Sequence, residues 1–129
     1  MPITNNLPNA NDHRIDLFTA IAMTTNFRDN KELILQTAYQ GKNVLPNSET
    51  FHRDAIDLLL SQSGCAGLRV YYGMDANDKI HAILVGVNGQ NEDILASNEL
   101  SRNEEDEDII IEVGQRCPPS CPPESALNP

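Results

Sequence analysis

Apolar side chains recur at three- and four-residue intervals in the first half of the chain and gather into strand-like runs in the second. Ile15, Leu17, Phe18, Ile21 and Ala22 fall along one stripe of a helix. Asn11 or Asp12 is placed to cap it, so the pattern predicts a helix over roughly residues 12–28. Residues 31–40 carry Leu33, Ile34, Leu35, Ala38 and Tyr39 and are compatible with either a second short helix or an extended piece before Gly41. Leu45-Pro46-Asn47-Ser48 reads as a loop ending in an N-cap. Phe51, Ala55, Leu58, Leu59 and Gln62 then trace one face of a helix of about four turns, which Gly64 ends.

After Gly64 the period changes. Residues 68–73 and 80–87 are β-branched, aromatic and aliphatic, separated by the turn chemistry of Met74-Asp75-Ala76-Asn77-Asp78-Lys79. In the first of these strands Leu68, Val70 and Tyr72 share one face, and Arg69 and Tyr71 share the other. The second, apolar on both faces, is expected to be central, with Asn88-Gly89 turning away. Five consecutive carboxylates, Glu104 to Asp108, read as a solvated loop. Residues 109–113 read as a third strand, ended by Gly114.

The expected fold is therefore α+β, with two to three N-terminal helices packed on a small antiparallel sheet of three or more strands and a Pro-rich C-terminal tail. The expected organisation is a flexible arm at 1–11, a single domain at 12–116 and a Pro/Cys-rich tail at 117–129.

Charge and composition narrow the function classes. Nine basic against nineteen acidic side chains give a net charge of −10, which repels nucleic acid and anionic membrane surfaces. There is no Trp and there are only three Phe and three Tyr, so platforms for stacking bases or sugars are scarce. Residues 1–12 lack the basic and apolar regions of a secretory signal, and no segment approaches the ~18 apolar residues of a membrane span. With an odd count of three cysteines, the expected setting is cytoplasmic, with reduced thiols and no disulfide framework.

The chemistry-bearing motif is Cys117-Pro118-Pro119-Ser120-Cys121-Pro122-Pro123, in a chain whose third cysteine is Cys65. In a polyproline II conformation the two cysteine Cα atoms lie about 12 Å apart, too far for a disulfide or a shared ion. A turn at Pro119-Ser120 brings the sulfurs together. Three readings follow. The prolines form a semi-rigid tail in which the thiols are small hydrophobes; or Cys65, Cys117 and Cys121 join one of His13, His52 and His81 around zinc; or Cys117 and Cys121 form a reversible disulfide.

The segment Ser63-Gly64-Cys65-Ala66-Gly67 resembles the GCSG stretch of A-type iron–sulfur carriers, which also hold three cysteines, the last two near the carboxyl terminus. That resemblance implies a cluster on Cys65, Cys117 and Cys121, although the carriers end in a CGCG-like pair and Cys117 and Cys121 are three residues apart. The chain after Phe51 is similar to a family of small bacterial proteins. They combine a GCxGxRxYYG-like segment, here residues 64–73, with a strand ending in Val-Gly-Val, here residues 85–87, and a terminal CPPxC, here residues 117–121. This resemblance implies a domain of its own kind and names no catalytic residue.

Other signatures are excluded. Asp75-Ala76-Asn77-Asp78 begins like a calcium loop, but Ile80 stands where that loop needs Gly and Gly86 where it needs the bidentate Glu. There is no GxSxG, Walker or HExxH motif. His52 has Asp54 and Asp57 nearby and reads as surface; His81 reads as a core or edge histidine on its strand. Cys65 with His52 or His81 as base is the thiol-enzyme alternative. Arg69 and Tyr71, with Arg116 beside the tail, are the candidate interaction residues, because Arg and Tyr are favoured at interfaces. The function expected is protein association without catalysis, as a homo-oligomer or a component of an assembly, with no resident cofactor. The alternative is a thiolate protein for zinc or an iron–sulfur cluster.

Overall fold

A computed structural model describes residues 7–95 and 108–129. Within them the chain is α+β, with two α-helices and five short or medium strands. It divides into two compact units. The carboxylate run up to Glu107 and the arm before Leu7 lie outside the described residues. Among the described residues no helix is long and apolar enough to cross a membrane.

Of the described residues, the first unit draws on 7–8, 51–72, 82–95 and 108–113. Helix α2, Arg53–Leu60, begins at His52, whose Nδ1 accepts the Asp54 amide at 3.0 Å and so satisfies one of the orphan donors of a helix start. It is half the length expected from the apolar spacing. Its buried residue is Leu59, 0% exposed. After Gly64, in the left-handed region at φ 76°, the chain enters the strand Cys65–Met74, which is paired in a three-stranded sheet with Ile80–Asn88 and Ile110–Ile111.

Strand β1 belongs to the second unit and runs Ser48–Thr50, so the sheet strands are β2, β3 and β4, in that order across the sheet. Leu84 sits opposite Ile111 and Val85 opposite Ile110 in antiparallel register. The expectation of a central second strand holds: Leu84, Val85, Gly86 and Val87 of β3 are all buried. Strand β4 covers two of the five residues expected at 109–113.

The faces of β2 are the reverse of those its hydropathy suggests. Cys65, Gly67, Arg69 and Gly73 are half-buried, while Leu68, Val70, Tyr72 and Met74 are exposed. Glycine is the reason. A Cβ on Gly67 would stand 3.1 Å from Leu7 Cδ1 and 3.6 Å from Val87 Cγ2, so the chain approaches the sheet on the side where side chains are small.

The second unit draws on residues 9–50, 73–81 and 114–129. A 3-10 turn at Ala10–His13 precedes helix α1, Leu17–Asn30. The helix starts later than residue 12 because Asp16 is the cap, accepting the Thr19 amide at 2.7 Å. This bond also holds the Asp16 carboxyl below its ordinary pKa. No residue of α1 is buried. Its half-buried stripe is Ala20, Ile21, Thr24, Thr25 and Arg28; the expected apolar stripe is largely outside, with Phe18 83% exposed. Residues 31–40 resolve into turns and a 3-10 turn at Thr37–Tyr39.

Ser48, expected to cap a helix, instead opens β1. This strand pairs antiparallel with β5, Gln115–Cys117, setting Ser48 opposite Cys117 and Glu49 opposite Arg116. No local pattern marks Ser48-Glu49-Thr50 as a strand; its partner lies far along the chain.

Candidate functional site

Three groups, together with Arg116, hold residues that the sequence singles out, and a fourth holds residues that it does not. The first is the CPPSC motif. Cys117 ends β5 and is 1% exposed. Its carbonyl accepts the Asn47 amide at 2.7 Å, and the Ser120 amide donates to the Arg116 carbonyl at 2.8 Å, closing a turn. The Cys117–Pro118 and Pro118–Pro119 bonds are both cis. The two cysteine Cα atoms are 4.5 Å apart and the sulfurs are joined in a disulfide. The expectation of reduced thiols is thereby corrected, and so is the place of the turn: it lies at Pro118-Pro119, closed by Ser120 on Arg116, rather than at Pro119-Ser120, and it places Cys121 within reach of Cys117.

Joined to each other, these two sulfurs are not thiolate ligands. Cys65 is a free thiol in the first unit, its Sγ 3.2 Å from the Gly67 carbonyl to which it donates. Among the described residues no group of three His, Cys, Asp or Glu side chains is arranged to hold a metal ion.

The second group is His81 and Asp75. Asp75 organises the β2–β3 turn: its Oδ1 accepts the Asn77 amide at 2.8 Å and the Lys79 amide at 3.0 Å, and its Oδ2 lies 2.7 Å from His81 Nε2. Asp78 adopts φ 63° in the same turn, a conformation Asp tolerates better than most residues. The Lys79 amide first, then the His81 ring, hold the Asp75 carboxyl down to about 2. His81 is thus a turn clamp, and the carboxylate partner that its strand context does not reveal is six residues upstream.

The third group is Arg69 and Tyr71. Both are tied to Asp93: Arg69 Nη1 donates to Oδ1 and the Tyr71 hydroxyl to Oδ2. Arg69 Nη2 also donates to the Asn91 carbonyl at 2.9 Å. Asn91 has φ 66°, and the turn it belongs to is closed by the Asn88 side chain, which accepts the Gln90 and Glu92 amides. Arg69 therefore fixes the loop that follows β3 rather than projecting outward, whereas Tyr71 remains partly exposed.

Arg116, expected on an exposed surface beside the tail, is buried. Its Nη2 faces three carbonyls, those of Asn43, Val44 and Ile80, at 3.1 to 3.2 Å. Two N–H groups are shared among three acceptors, so one guanidinium satisfies the backbone where Asn43 turns through φ 55°. The physical reason for its burial is this demand.

The fourth group was not foreseen: a cavity of about 440 Å³ in the second unit. Met23, Phe27 and Arg28 of α1 form one wall, Asn47 and Ser48 another, and Pro122 and Leu127 of the tail a third. Arg28 Nη1 donates to the Leu127 carbonyl at 2.9 Å. Lys31 Nζ holds the neighbouring loop through the Leu45 carbonyl at 2.9 Å and Asn47 Oδ1 at 2.8 Å. The spacing of Met23 and Phe27 on α1 is visible in the sequence, but nothing there shows that the tail folds back over them.

The described residues thus hold a disulfide and a lined cavity. No family model, curated protein or solved structure matches the chain.

Proposed function

We propose that this protein works by association with a second copy of itself, through the outer face and free edge of β2. The observation that carries this reading is the exposure of Leu68 and Val70, each 40%, and Tyr72, 78%, on a strand that is at the sheet edge among the described residues. An edge presents unpaired backbone donors and acceptors, and native proteins usually blunt it with Lys, Pro or inward charge. Strand β2, CAGLRVYYGM, has no Lys, Pro or carboxylate, and its single charge, Arg69, is tied to Asp93.

Charge selects the occupant. Each chain carries −10, so two copies meet most favourably where neither presents a carboxylate, and β2 is such a strip. A basic partner would find nothing acidic there to recognise. The cytoplasmic location expected from the sequence belongs to the same proposal and is checked by cell fractionation.

Light scattering after gel filtration, over a range of concentrations, is expected to show a mass twice that of the chain. Val70→Lys places like charges in the interface and is expected to weaken the dimer roughly tenfold or more. A monomer at every concentration, or a dimer indifferent to Val70→Lys, overturns the proposal.

A further inference from the structure

The C-terminal segment has an unusual set of attachments. Residues 121–127 are all exposed, so burial holds them only weakly. What shapes the segment is internal. Ser125 and Asn128 exchange backbone hydrogen bonds at 3.0 and 3.1 Å, the Leu127 amide donates to Ser125 Oγ at 3.3 Å, and Asn128 Nδ2 donates to the Pro122 carbonyl at 3.1 Å. It is a small closed loop, and among the described residues two links tie it down. The disulfide secures it at Cys121, and Arg28 secures it at the Leu127 carbonyl.

Beneath it lies the cavity walled by Met23 and Phe27. We propose that the Cys117–Cys121 disulfide is a thiol-exchange site, and that its reduction releases residues 122–128 as a strap from the side of the α1 cavity they now line.

The two sulfurs are unequal in a way that sets the course of the exchange. Cys121 is exposed and Cys117 is 1% exposed, so an incoming thiolate reaches the Cys121 sulfur. Attack by one thiolate of a dithiol reductant forms a mixed disulfide on Cys121 and breaks the bond to Cys117, which leaves as a thiolate and takes up a proton. The second thiolate of the reductant then attacks its own sulfur in the mixed disulfide and expels the Cys121 thiolate, which is protonated in turn. Two electrons and two protons have passed to the protein, and the dithiol has become a disulfide.

The effect of reduction is local because other bonds hold the surrounding backbone. The β1–β5 ladder, the Asn47 amide on the Cys117 carbonyl, and the Arg116 guanidinium across three carbonyls all remain after the disulfide opens. Only the strap depends on Cys121. With one link gone, the remaining tie among the described residues is an exposed hydrogen bond from Arg28, worth little in water. Release takes Pro122 and Leu127 away from Met23 and Phe27, which are already 62% and 38% exposed, and so widens an α1 surface that includes the exposed Leu17 and Phe18. This inference concerns α1 and does not depend on the β2 dimer.

The test uses the full chain with and without dithiothreitol, read by 15N relaxation. In the oxidised protein the amides of Ser125, Leu127 and Asn128 are expected at order parameters near those of rigid backbone, about 0.85; on reduction they are expected to fall below about 0.6. The Met23 methyl and Phe27 ring signals should shift at the same time, while the β1 and β5 amides keep their positions. Cys121→Ser should reproduce the reduced pattern without reductant. Strap amides that stay rigid in reduced protein overturn the proposal. So does loss of β1–β5 dispersion on reduction, since the disulfide would then support the unit as a whole.

Discussion

A Cβ placed on Gly86 stands 2.9 Å from Gln62 Nε2, 3.2 Å from Cys65 Sγ and 3.5 Å from the Leu59 carbonyl. The last is an ordinary contact, but the first two require movement. Gln62 is also held, its Nε2 donating to Leu59 O at 2.9 Å. Gly86→Ala is therefore expected to cost about 1–3 kcal/mol of stability. Adding Cys65→Ala should return part of that, with a coupling of at least about 0.5 kcal/mol. Urea unfolding of the two single variants and the double variant measures it; additive losses would show that the sulfur is not what Gly86 makes room for. The same crowding gives Cys65 a packing role against the backbone at Gly86, independent of any reactivity of the thiol. Arg116 belongs at this scale too: its identity is set by three carbonyl oxygens, a demand visible only once the backbone has turned.

Among the elements, the β2–β3 hairpin was the most legible in the sequence, because two β-branched runs flank a turn rich in Asp and Asn. The direction of its faces was not. Leu68, Val70 and Tyr72 look like a core stripe until Gly67 is seen to admit Leu7 and Val87, and Arg69 to meet Asp93. Alternation with Cys65, Gly67 and Gly73 on the opposite parity is the signal that pointed the other way. The start of α1 departs from residue 12 for a local reason, since Asp16 competes with Asn11 and Asp12 as cap. Strand β1 carries no local signal, because its partner β5 is far along the chain.

The hairpin turn carries a pH dependence with a fixed sign. Asp75 has its pKa lowered from 3.8 to about 2 by the Lys79 amide, His81 and the Asn77 amide. The unfolded chain thus binds the proton more readily, so the contribution of Asp75 to stability is complete above roughly pH 4 and disappears as pH falls through about 2. Thermal melts of wild type and Asp75→Asn are expected to differ at pH 5 and to converge near pH 2. A difference that stays constant across that range would remove Asp75 as the titrating group.

For the whole molecule, the decisive quantity is the charge of −10. Raising salt from about 0.01 M to about 0.15 M shortens the screening length from about 30 Å to about 8 Å. Repulsion between two acidic copies should fall accordingly, while contacts through uncharged Leu68, Val70 and Tyr72 are little affected. The dimer is expected to tighten severalfold, as read by sedimentation equilibrium. Weakening with salt would mean that ion pairs hold the interface and would contradict a neutral β2 strip. The α+β class was legible at this scale, but the division into two units was not, because each is gathered from separated stretches of chain.

That interleaving bears on the order in which the molecule assembles. The β2–β3 hairpin joins neighbours in sequence and belongs to the fast, local class of events, on the order of microseconds. The β1–β5 pair joins residues near 50 to residues near 116 through three-residue strands, so a long loop closes for few ladder bonds. Such pairings slow a chain in proportion to their sequence separation. The second unit is the late partner in folding, and its closure waits for β5 to find β1.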